Sequence, residues 1–264
     1  MIKSIENVKN VILISSGKGG VGKSMVASNL AVALSRDGYV TGLLDADLYG
    51  PSVPLALGLE GHYPLIEKEE GAEKFEPVMN YGIKVMSLGF LMKKEDAIIW
   101  RGPLVSNALT QLLENTRWGE LDFLIVDMPP GTGDINITLA QKLPHARAIV
   151  VITPQQMAMT DGRKAANMFR ANGIDIEVAG IVENMSWFIP EQHPDEKYML
   201  FGEGGGMQLA GEIDVPLLAQ IPLVSDVCKL GDTGKTIFAS SNNLIIKVFE
   251  ELAEKLTSSI TVES

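Results

Sequence analysis

The chain is short of cysteine, of clustered basic residues and of long apolar runs, and each shortage removes a class of protein. Its one cysteine, Cys228, can form no intrachain disulfide, and Met1-Ile2-Lys3-Ser4-Ile5-Glu6 lacks the apolar stretch of a signal peptide. Both features predict a cytoplasmic location. With 22 Lys and Arg against 33 Asp and Glu, the net charge is −11, and the densest basic stretches, Lys93-Lys94 and Arg163-Lys164, are only pairs. Such a field repels DNA phosphates and anionic lipid, so neither nucleic acid nor a membrane surface is an expected partner. The strand-like apolar runs are four to six residues long, far below the ~20 residues that span a bilayer. Runs of that length suit the strands of a buried parallel sheet.

What is present is a regular alternation. The 264 residues, 46% hydrophobic, can bury one substantial core, so the reading is one domain over 1–264 with its body at about 8–257. Apolar runs recur at 11–15, 40–44, 83–88, 123–126, 148–153, 178–182 and 217–221. Helix-like periodicity occupies 23–36, 103–115, 134–142, 160–172 and 243–257. This βαβ pattern predicts an α/β fold, a mostly parallel twisted sheet covered by helices on both faces. Three stretches interrupt it and read as excursions from the domain: 51–76, 93–101 and 188–206. The C-terminal helix has an acidic polar face, with Glu250, Glu251 and Glu254, so it is expected to pack on the sheet and not on lipid.

Residues Gly17-Lys18-Gly19-Gly20-Val21-Gly22-Lys23-Ser24 fit the phosphate-loop spacing G-x-x-x-x-G-K-S, between an apolar run and a helical one. Glycines let successive backbone N–H groups turn toward phosphate oxygens, and the helix N-terminus adds its partial positive charge. Lys23 can bridge the outer phosphates and the Ser24 hydroxyl can ligate Mg²⁺. Lys18 is extra to that motif. A lysine at the loop mouth can cross to a second subunit and neutralise charge developing on the nucleotide there, or simply be solvated.

Three carboxylates follow strand-like runs. Asp45-Ala46-Asp47 places two of them two residues apart, with Asp45 read as support for the metal shell and Asp47 as the group that positions the attacking water. Phe123-Leu124-Ile125-Val126-Asp127 has the form of a Walker B strand, whose carboxylate holds Mg²⁺. Met128 follows it, so no adjacent catalytic glutamate is present and the water-positioning role falls on Asp47. Pro129-Pro130-Gly131-Thr132-Gly133-Asp134 reads as a switch loop near the γ-phosphate. No Asn/Thr-Lys-x-Asp guanine motif occurs, which favours ATP, and Asn184 stands at a strand end where a side-chain amide can read the base or merely form a turn.

With Lys18 beside Gly22-Lys23-Ser24, the chain resembles the deviant Walker A ATPases, the class of MinD, ParA and the arsenical pump ATPase. Further phrases narrow the resemblance to the Mrp/ApbC family: Arg101-Gly102-Pro103-Leu104-Val105-Ser106, Asp127-Met128-Pro129-Pro130-Gly131-Thr132-Gly133-Asp134, Thr153-Pro154-Gln155, Glu183-Asn184-Met185-Ser186, Phe201-Gly202-Glu203-Gly204-Gly205-Gly206 and Gly231-Asp232-Thr233-Gly234-Lys235. The resemblance implies a slow, switch-like ATPase using ATP and Mg²⁺. It also implies a homodimer across the nucleotide face that carries an iron–sulfur cluster and works with scaffold or apoprotein acceptors. Many members place a Cys-x-x-Cys pair shortly after Glu-Asn-Met-Ser; here Pro190 and His193 fall at those places, and proline cannot ligate iron. Two functions stay open: an ATPase of iron–sulfur protein maturation, or a nucleotide-switched positioning protein of the MinD/ParA kind without a cluster.

Overall fold

The computed structural model describes residues 5–47, 50–69, 71–91, 102–190, 192–193 and 196–261. The excursion expected at 93–101 lies outside them. In chain order the elements are β1 (Val8–Ser15), α1 (Lys23–Arg36), β2 (Thr41–Asp45), α2 (Val53–Ala56), β3 (Leu65–Glu69), β4 (Ala72–Glu76), β5 (Val78–Asn80) and β6 (Ile83–Ser87). They continue with α3 (Gly102–Asn115), β7 (Leu121–Asp127), α4 (Asp134–Lys142), β8 (Arg147–Ile152), α5 (Gln156–Phe169), β9 (Glu177–Phe188), α6 (Gly205–Glu212), β10 (Leu217–Leu223), α7 (Ser225–Asp232) and α8 (Asn243–Thr261).

Eight strands form one sheet in the order β10-β9-β8-β1-β7-β2-β6-β5, parallel throughout except for β5. The central strands are apolar on both sides because helices cover both faces; Ile12, Leu13, Ile14, Leu43, Leu44, Leu124, Ile125 and Val126 are all fully buried. On one face α1 packs against α8, and α8 against β10; on the other, α5 packs on β8 and α6 on β9. The α/β class and the two covered faces match the sequence pattern. The C-terminal helix buries Ile245, Phe249, Leu252 and Leu256, so it does pack on the body of the protein.

Local differences have local causes. The helix expected at 160–172 runs from Gln156 to Phe169, because Gly173 takes φ 83° and Ile176 N–H turns back to the Phe169 carbonyl. The stretch 51–76 holds α2 and the β3–β4 hairpin, which has its own two-stranded sheet. That hairpin is fastened to the body at Arg117, whose guanidinium reaches Glu67 and Glu76 at 2.7 Å and Glu69 at 3.1 Å. Within 188–206, Phe188 and Tyr198 exchange backbone hydrogen bonds of 2.9 and 3.0 Å, closing that excursion at its base.

Candidate functional site

The parallel register brings the motif residues to one edge. Asp45 on β2 pairs directly with Asp127 on β7 and with Ser87 on β6, while Ile14 of β1 pairs with Asp127 on its other side. The phosphate loop leaves β1 immediately beyond this row and enters α1 through Gly22, whose φ of 84° suits glycine. Loop and switch segment touch, since Gly131 N–H donates to the Ser16 carbonyl at 2.8 Å and Asn136 holds the Gly131 carbonyl at 2.9 Å.

Lys23 is the centre of the charge arrangement. Its Nζ lies 2.5 Å from Asp127 Oδ1, 3.7 Å from Asp47 Oδ2 and 3.4 Å from Ser24 Oγ, in a side chain only 5% exposed. Two carboxylates thus stand where the lysine is held, and the geometry offsets a buried positive charge with negative ones. Asp127 is fully buried; burial pushes its carboxyl above the ordinary carboxylate range, and Lys23 opposes that rise. Its second oxygen, Oδ2, accepts no hydrogen bond among the described residues. A buried carboxylate oxygen beside the Ser24 hydroxyl is a hard oxygen donor set of the kind Mg²⁺ takes.

Asp45 is placed differently. Its two oxygens accept from the Asp47 N–H at 3.1 Å, the Val53 N–H at 3.3 Å and the Ser87 hydroxyl at 2.9 Å. Burial pushes Asp45 up to about 8, Asp127 alongside adds to the rise, and the Asp47 N–H, the Ser87 hydroxyl and Lys23 counter it. This carboxyl anchors the turn after β2 and so fixes Asp47.

Lys18 is half-buried with no ion-pair partner among the described residues, and its carbonyl accepts from Ser16 Oγ at 2.9 Å. Gly19 and Gly20 are exposed at the loop mouth. Asn184 is buried and its Nδ2 donates to the Val21 carbonyl at 2.8 Å, so in this structure the amide braces the loop from below. A Cβ on Gly22 would stand 2.2 Å from that same nitrogen. A cavity of about 200 Å³ adjoins the loop, lined among others by Ser24, Met25, Asn29, Asp232 and Lys235.

The sequence pattern did not show the Ser87 hydroxyl on Asp45 or the Asn184 bond to Val21, because both are tertiary pairings with no local signature. No group of three or more His, Cys, Asp or Glu among the described residues is arranged to hold a metal ion by itself. Cys228 is exposed on α7, its Sγ 3.8 Å from Asp232 Oδ2, and His193 pairs with Glu196 at 3.3 Å. No described helix is long and apolar enough to cross a membrane.

Comparison with known proteins agrees with this architecture. A nucleotide-binding protein from Archaeoglobus fulgidus solved with ADP superposes with a TM-score of 0.76 at 37% identity, covering 88% of this chain and 89% of that one. The Pyrococcus furiosus cell division ATPase MinD shares the fold, with a TM-score of 0.66 over 95% of this chain and 99% of its own at 22% identity. An iron-sulfur cluster carrier protein of Synechocystis is 46% identical over 98% of this chain and 73% of its own length. The iron-sulfur cluster transfer protein NUBPL of Dictyostelium discoideum is 43% identical over 89% of this chain and 71% of its own. The family model described as ParA, NUBPL iron-transfer P-loop NTPase, matches residues 7–257. By that span and by those identities, the chain belongs to the ParA/NUBPL family of iron-transfer P-loop NTPases.

Proposed function

We propose that this chain binds Mg²⁺-ATP on the 17–24 loop, hydrolyses it slowly as a homodimer in the cytoplasm, and uses that cycle in the transfer of iron–sulfur clusters to apoproteins. The observation that carries the reading is the buried Lys23 held between Asp127 and Asp47 under a G-x-x-x-x-G-K-S loop. The triphosphate recruits Lys23 from Asp127, since phosphate oxygens offer it a denser negative charge than one carboxylate. Ser24 and Asp127 would hold Mg²⁺, which would supply neutralisation of charge on the phosphates. Asp47, freed of Lys23, orients the attacking water, and its backbone stays fixed by Asp45. Lys18 supplies a positive charge to the nucleotide of the facing subunit. Asn184 is the candidate for recognising adenine, by turning its amide from Val21 to the base.

The cluster is cargo in this reading, and the sequence offers it a single thiol, Cys228. One cysteine per chain gives two thiols per homodimer, fewer than the four a four-iron cluster normally takes. The chain therefore acts beside a thiol-bearing donor and drives the nucleotide step. The same observation supports a second reading, a nucleotide switch of the MinD/ParA kind that positions a partner without handling a cluster. The deciding experiment is transfer of a cluster from a reconstituted donor to an apo-ferredoxin with the protein present. Faster transfer that needs ATP and is lost in Lys23→Ala supports the first reading, while ATP binding without any effect on transfer supports the second.

A further inference from the structure

Glu183 and Asn184 are neighbours on β9 and face opposite sides of the strand, as successive strand residues do. Asn184 holds the Val21 carbonyl of the phosphate loop at 2.8 Å. Glu183, 1% exposed, takes the Gly206 N–H on Oε2 at 2.5 Å and the Gln220 amide on Oε1 at 2.8 Å. The proposed ATP cycle makes no use of Glu183. A buried carboxylate is costly to keep, and here both its oxygens are spent on α6 and β10.

The backbone beyond the pair is distorted. Asn184 pairs with Ile221 and Phe188 with Leu223, so residues 185–187 of β9 bulge opposite one residue of β10, and Met185 takes φ 56°. Such a conformation persists only where its surroundings over-determine it, and bulges of this kind re-aim side chains near functional sites. Here Ser186 Oγ donates back to the Glu183 carbonyl at 2.9 Å. The first turn of α6 is seated as tightly, since a Cβ on Gly205 would lie 2.4 Å from the Pro154 carbonyl oxygen and one on Gly206 would lie 2.7 Å from Glu183 Cβ. Met207 in that turn is 62% exposed, and Met157 on the adjoining α5 is 74% exposed.

We propose that Glu183 is a positioning residue of the nucleotide cycle: with Asn184 it ties the first turn of α6 to the phosphate loop, so that loop occupancy sets how firmly that turn and its exposed Met207 are held. The inference rests on the reading that ATP binds the 17–24 loop. The two side chains share one peptide unit, so the turn of Asn184 from Val21 to the base when nucleotide fills the loop is passed to Glu183 and thence to Gly206. Neither link needs a charge. In Glu183→Gln one amide oxygen still accepts from Gly206, and Gln220 can turn its own oxygen to the new NH₂. Glu183→Met leaves both donors without an acceptor.

The test is amide exchange of residues 205–212, read by mass spectrometry with and without a non-hydrolysable ATP analogue and Mg²⁺. Nucleotide is expected to slow exchange of this turn in the wild type by roughly tenfold, the scale of a modest local-opening change. Glu183→Met removes that difference while nucleotide affinity stays within about threefold, and Glu183→Gln restores it. Gly206→Ala, which lifts the turn off Glu183 without touching the loop, also removes it. Nucleotide binding with unchanged exchange in α6, or a full response in Glu183→Met, overturns the inference while sparing the ATP reading. Absence of nucleotide binding overturns both.

Discussion

Lys23 Nζ and Asp127 Oδ1 lie 2.5 Å apart at the base of the phosphate loop, one side chain nearly and the other fully buried. Neither charge is solvated there, so each depends on the other. Removing the lysine leaves a buried carboxylate with less compensation, a loss of about 3 kcal/mol or more. Lys23→Met is therefore expected to lower the urea midpoint of the nucleotide-free protein, and Lys23→Met/Asp127→Leu to recover much of the loss. Urea unfolding of the wild type and the two variants checks this, and an unchanged midpoint in Lys23→Met would count against the pairing.

The Asp45 carboxyl supplies a pH prediction. Its folded value is raised to about 8 from an ordinary 3.8, with burial the largest cause and Asp127 the next. At neutral pH the folded chain holds a proton that the unfolded chain has released, so stability from this group is fully present below the ordinary value and is lost as pH rises through about 8. Asp127 is shifted in the same direction, so the two titrate as a pair. Thermal melts of nucleotide-free protein are expected to fall with rising pH across this window. Asp45→Asn, which has no proton to lose, flattens the slope even though it weakens the acceptor for Val53 and Ser87. An equally steep slope in Asp45→Asn would contradict the assignment.

Gly22 is required twice over, by φ 84° and by Asn184 Nδ2 at 2.2 Å from where a Cβ would stand. Gly22→Ala is expected to cost about 1–3 kcal/mol in stability through the backbone conformation and to abolish binding of a fluorescent ATP analogue by displacing the loop. Asn184→Ala, which removes the brace on Val21 and the proposed adenine contact but leaves the loop backbone intact, is expected to weaken binding less. A Gly22→Ala protein that binds the analogue normally would sink this account of the loop.

For Lys18 the prediction separates binding from hydrolysis. A cation donated across a dimer acts on the transition state, so Lys18→Ala is expected to lower kcat by about 10³-fold with KM for ATP little changed. Mixing Lys18→Ala with a Lys23→Ala partner is expected to restore part of the activity, because the mixed dimer pairs an intact loop with an intact Lys18. Steady-state phosphate release on the two proteins and their mixture checks this; no recovery on mixing would argue against a trans role.

The residues around the nucleotide loop were legible because their chemistry is written in short spacings after apolar runs, as in Gly17 to Ser24 and in Asp127 at the end of β7. The central strands were legible too, since a strand buried on both faces has an apolar residue at nearly every position. The β3–β4 hairpin was not: residues 65–69 are all exposed, with no alternation to read, and its anchor is Arg117, distant in sequence. Helices α6 and α7 escaped because they are eight residues each and polar or glycine-rich, and α6 begins where Gly205 and Gly206 fit against Pro154 and Glu183. The polar pairings, Ser87 with Asp45 and Asn184 with Val21, depend on register between strands far apart in the chain. Sequence periodicity carries no record of that register.

The most direct measurement is isothermal titration of ATP with Mg²⁺ into the wild-type protein and Lys23→Ala, with each protein first confirmed as folded by circular dichroism. Saturable binding by the wild type that disappears in folded Lys23→Ala is the predicted result. No binding by the wild type, or equal binding by both, would contradict a nucleotide site built on Lys23 and Asp127.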